Sequence, residues 1–97
     1  MATTQFAFMQ VESRSVPCGV VDDSVCESKT PTASSSPTTA VATAAQSVCR
    51  VATDTQVMVS FGTAPNATSD SIKFLIPAGA VEYFVVQSGW KADAVTA

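Results

Sequence analysis

The chain has 97 residues, a formal net charge of −3, 13% charged residues and no histidine. This length sets one domain rather than two, and the missing imidazole removes the side chain most used for proton transfer and metal ligation near neutral pH. The basic residues Arg14, Lys29, Arg50, Lys73 and Lys91 are scattered singly, so they offer no clustered positive footprint for nucleic acid.

The 46% apolar content is mostly Ala and Val; the large core formers are five Phe, one Trp, one Tyr, Ile72, Ile76 and Leu75. A small domain with so thin a core gains burial from a partner subunit or a scaffold, which favours an oligomer or an assembly component. Three cysteines, Cys18, Cys26 and Cys49, are an odd count with no C-x-x-C pair. Free thiols in a reducing compartment are the leading expectation, ahead of one bridge (Cys18–Cys26 or one involving Cys49) and of a three-thiolate metal site. No secretion signal is expected, because the first basic residue is Arg14 and no apolar run follows it. No apolar stretch is long enough to cross a bilayer. The sequon Asn66-Ala67-Thr68 is read as turn chemistry.

In chain order, residues 5–16 open as a strand, with Phe6 and Phe8 on one face and Met9 and Val11 on the other, until Pro17 interrupts them. Val20 and Val21 meet a turn at Asp22-Asp23, and Val25-Cys26 forms a short extended piece. Residues 28–39 (SKTPTASSSPTT) are low in complexity, and Pro31 and Pro37 forbid a regular helix across them. Nothing there is expected to anchor a core. With the small residues up to Ala45, the span 28–45 reads as a flexible loop or as an arm that orders against a neighbour, reaching roughly 60 Å if fully extended.

The β pattern resumes from Gln46, with Val48, Cys49, Val51 and Ala52 around Arg50, although the alanine-rich 40–48 is ambiguous. Segments 56–61, 71–76, 81–86 and 90–96 then alternate apolar and polar residues, the mark of antiparallel strands with one buried face. Val57, Val59 and Phe61 form one inward row, Ile72, Phe74 and Ile76 the next, and Trp90, Ala92 and Ala94 the last. In 81–86 both faces are partly apolar, which fits a central strand or one packed against a partner. Pro77-Ala78-Gly79 and Ser88-Gly89 are turns. The spacing predicts an all-β fold, a small antiparallel β-sandwich or barrel over 1–97, carrying the Ser/Thr/Pro loop or arm.

No catalytic, cofactor or metal site is legible. Asp22-Asp23 would point oppositely on a strand, and Ca²⁺ wants more oxygen ligands at closer spacing. The glycines at 19, 62, 79 and 89 build no phosphate loop, and a nucleophilic Cys or Ser would find no histidine to activate it. Trp90 and Tyr83 admit three roles: caps on the core, interface anchors, or a platform for sugars.

The run from Val57 to Val95 (VMVSFGTAPNAT, then SIKFLIPAGAVEYFVV, then SGWK) resembles small structural proteins of tailed bacteriophages. The resemblance implies a capsid decoration, or cement, protein: made in the host cytoplasm, carried on the capsid exterior and clamping capsomers. It implies the major capsid protein as partner, a homo-oligomer (trimer or dimer), no enzyme activity, no cofactor, no nucleic acid and no membrane. Candidate protein-contact residues are Phe6, Phe8, Pro31, Pro37, Tyr83 and Trp90. The alternatives are another virion part (tail, neck or head-fibre) and a carbohydrate-binding module using Tyr83 or Trp90.

Overall fold

Two antiparallel sheets face each other in a computed structural model that describes residues 2–11, 17–19, 24–43 and 46–97. The larger sheet joins β1 (Thr4–Val11), β2 (Pro17–Gly19), β3 (Cys26–Lys29), β4 (Val48–Thr53) and β7 (Val81–Val85). The smaller joins β5 (Val57–Gly62), β6 (Phe74–Ile76) and β8 (Lys91–Thr96). There is no helix among the described residues, so the all-β sandwich expected from the alternation is the fold. Asp22-Asp23, Val20, Val21, Ala44, Ala45 and the end of the first predicted strand (12–16) lie outside the described residues.

Period two decides which side chains meet between the sheets. On β1, Thr4, Phe6 and Phe8 point inward, and on β4 Cys49 and Val51 do so. Thr4 and Thr53 pair across the ladder, and their hydroxyl oxygens lie 3.0 Å apart, so the end of the core is polar yet satisfied. The smaller sheet answers with Val57, Val59, Ile76, Ala92 and Ala94. Phe6 and Phe8, expected as contact residues, are thus core: they are 1% and 0% exposed, and strand alternation rather than proximity to the N-terminus sets their direction.

The chain changes sheets at three tight connections. Residues 54–56 carry it from β4 to β5. The Pro77–Ala80 turn links β6 to β7, closed by Ala80 N–H donating to the Pro77 carbonyl at 3.2 Å, with Gly79 at φ 81°. The Gln87–Trp90 turn repeats the device with Gly89 at φ 86°. Positive φ at the third residue is what a type II turn demands, and glycine takes it without steric penalty.

Two expectations need correction. The first concerns 28–39, which is not inert. Pro31 and Thr38 are buried, and directly after them Ala40 and Ala42 enter the core at 0% and 2% exposure. The segment runs as a strap along β8. Thr38 N–H donates to Ala92 O (2.8 Å), Ala92 N–H to Thr38 Oγ1 (3.1 Å), Ala42 N–H to Trp90 O (2.9 Å) and Thr96 N–H to Thr32 O (2.9 Å). Small residues let this backbone approach a sheet edge closely, which composition alone reads as flexibility. The second concerns β8, where Asp93 and Val95 are buried as well as Ala92 and Ala94. Ser35 and Ser36 of the strap, with Ala67 of the 62–70 loop, close over Asp93 on the face that alternation leaves wet.

Candidate protein-contact surface

Sequence and topology make the two flanks of the sandwich unequal. On one flank the strap fills the gap between β3 and β8. There Glu27 Oε1 accepts hydrogen bonds from Thr39 N–H (2.8 Å), Thr39 Oγ1 (2.9 Å) and Ala40 N–H (3.0 Å). Burial pushes the Glu27 carboxyl up, but these bonds and the Lys29 ammonium at 3.5 Å outweigh it and hold its pKa below the ordinary value. The same flank is pinned by Asp93, whose fully buried carboxylate accepts from Ser35 Oγ (2.6 Å), Ser36 N–H (2.9 Å) and Ala67 N–H (2.7 Å). One side chain on β8 thereby ties the strap to the 62–70 loop. Sequence reading missed it, because an Asp alternating with alanines reads as a solvated position.

On the other flank β6 and β7 end their sheets, and no strap lies between them among the described residues. The exposed large hydrophobics among the described residues are Ile72, Phe74, Leu75, Val81, Tyr83 and Val85. All fall within one stretch of sequence that folds onto this flank. Of the expected inward row of Ile72, Phe74 and Ile76, the last two share the inner face, opposite the buried Val59 and Val57, with Phe74 at the rim 43% exposed; Ile72 precedes β6 and leaves the row at 74% exposure. The central-strand reading of 81–86 is also corrected, since among the described residues β7 has β4 alone as neighbour.

Between the two edges lies an apolar cleft of about 340 Å³, lined by Phe61, Ile72, Phe74, Phe84, Val85 and Trp90. Phe84 stands at its centre, its ring centroid 5.0 Å from those of both Phe61 and Phe74 and tilted 42° to each. Tilted rings at this separation hold their shape and add to the burial energy. The charged groups within 72–86 are Lys73 and Glu82. An uncharged, aromatic-floored cleft beside two open sheet edges is suited to gripping another protein chain.

The candidate contact residues therefore separate. Tyr83 lies opposite Arg50 on the outer face of the larger sheet and is 54% exposed, whereas Trp90 is half-buried and lines the cleft. Pro37 is exposed on the strap, while Pro31 is buried with Phe6 and Phe8. The alternation in 81–86 carried the signal for Val81 and Val85, and that in 71–76 set Leu75 outward; nothing short of topology could expose Ile72 and the edge of Phe74.

Other candidate chemistry stays modest. Cys26 and Cys49 are not in a disulfide, and the side chain of Cys18 lies outside the described residues. Burial pushes the Cys49 thiol up to about 12, a backbone contact from Ala7 opposing and Cys26 adding to the rise. The described residues hold no group of three His, Cys, Asp or Glu side chains placed for a metal. Asn66 of the sequon spends its side-chain oxygen locally, accepting from Thr68 N–H (3.0 Å) and Ser69 N–H (3.3 Å), as the turn reading required. No family model, curated protein or solved structure matches the chain.

Proposed function

We propose that the chain is a structural virion protein that binds the outer capsid surface as an oligomer and stabilises contacts between capsomers, with the major capsid protein as its partner. The observation that carries this reading is the concentration of exposed apolar side chains on the β6–β7 flank, while the opposite flank is sealed by the strap. Within the 57–95 run that resembles tailed-phage cement proteins, residues 72–85 supply the exposed apolar side chains of that flank.

The grip is mechanical. Apolar burial at the cleft supplies affinity at roughly 25 cal/mol per Å² before the cost of ordering the partners. Many copies on one shell then hold together what a single weak contact cannot. The test is co-sedimentation of the purified chain with capsids lacking it. Saturable binding to shells is expected, and Ile72→Asp with Leu75→Asp abolishes it while circular dichroism is unchanged. Binding indifferent to those changes overturns the assignment of the flank; binding to tails or necks instead of shells overturns the capsid reading.

A further inference from the structure

We infer that β7 pairs antiparallel with β7 of a second copy of this chain, about a two-fold axis at Tyr83, to make one continuous sheet through two sandwiches. This rests on the oligomeric part of the proposed function alone and is independent of the capsid.

The hydrogen-bonding phase of the strand sets up the pairing. Val86 N–H donates to Ser47 O and Thr53 N–H to Ala80 O, and the β4–β7 register places Phe84 opposite Cys49 and Glu82 opposite Val51. The even-numbered residues of β7 thus turn their backbone groups toward β4. Val81, Tyr83 and Val85 turn theirs to the open edge, since hydrogen-bonding direction alternates along an antiparallel ladder. In a two-fold register centred on Tyr83, Tyr83 faces its own copy and Val81 faces Val85. Those pairs are in the hydrogen-bonding phase, so the outward N–H and C=O groups of all three residues are satisfied at once.

Charge and strand length select this register. The phase also permits centring on Glu82, which opposes two carboxylates directly and is destabilising, and on Phe84, which sets Val81 against Gln87 beyond the end of β7. Centring on Tyr83 sets Glu82 against Phe84 of the copy and joins Val81, Tyr83 and Val85 into one uncharged outer face. The edge itself lacks the usual defences. β2 opens with Pro17, β3 carries Glu27 and Lys29, and the strap covers β8, but β7 has no proline and its outward row is uncharged. An undefended apolar edge of this kind is a ready template for pairing with the strand of another chain. Val85, 84% exposed, and Tyr83 are the side chains such a partner would cover.

Sedimentation velocity of the full chain across the micromolar range reads the state directly. The expected result is a species of twice the 10.0 kDa chain mass. Val85→Lys and, separately, Tyr83→Lys weaken it by about tenfold or more with unchanged circular dichroism. On mild oxidation Tyr83→Cys forms a covalent dimer beyond that of the unaltered chain, because hydrogen-bonded partners sit about 5.5 Å apart at Cα, within disulfide range. Glu82→Cys does not, since its copy lies diagonally. A monomer throughout, a trimer, a dimer indifferent to both lysines, or crosslinking through Glu82→Cys in place of Tyr83→Cys overturns the inference. None of these outcomes touches capsid binding, which co-sedimentation measures separately.

Discussion

Asp93 shows how much one side chain can hold. Its carboxylate is fully buried and takes three donors from two separate loops. Asp93→Asn turns an amide group toward one of those donors, and loss of charge-assisted bonds of this kind costs about 1.5–3 kcal/mol each. Urea unfolding is expected to show a loss in that range. Ser60, opposite Asp93 in the β5–β8 ladder, is the contrary case: its hydroxyl is buried with no hydrogen-bond partner among the described residues. Ser60→Ala removes that unmet group and is expected to leave stability unchanged or raise it by about 1 kcal/mol. Glu27 gives a pH dependence. Its folded pKa lies below the ordinary 4.5, so its stabilising contribution is complete above that value and fades as pH falls through the folded pKa. A melting series on acidification should show the loss, smaller in Glu27→Gln. Cys49, held protonated by burial, should react with a thiol reagent only at the rate of unfolding.

At the scale of elements, the strap is where composition misleads. Serine, threonine and proline have little apolar surface to bury, so the sequence reads as a free arm and predicts a deletion of 28–39 that spares the fold. The structure predicts the reverse, because that deletion removes Thr38 from β8, uncaps Glu27 and strips Asp93 of Ser35 and Ser36. The shortened chain is expected to unfold at markedly lower denaturant than the full one. Strand alternation, by contrast, was readable wherever a strand is buried on one face. Phe6, Phe8, Val57 and Val59 point inward as their spacing required. It failed for Ile72, which lies before β6 begins, and at β8, where a second layer covers the outer face.

For the whole molecule, what matters is that the described residues close one flank and leave the other open. The closed flank consumes small and polar residues; the open one displays Ile72, Phe74, Leu75, Val81, Tyr83 and Val85. The capsid and dimer experiments above both probe that flank, and they fail independently. The all-β class, the turns at Gly79 and Gly89 and half of the core follow from local rules: period-two alternation, positive φ at glycine and the stiffness of proline act over a few residues and are written in the chain. Which strands end their sheets, what covers β8 and why a buried aspartate is tolerated depend on contacts between residues dozens of positions apart. Those contacts come into being only when the strap and the sheets share the same space, so tertiary structure alone decides which apolar face stays exposed.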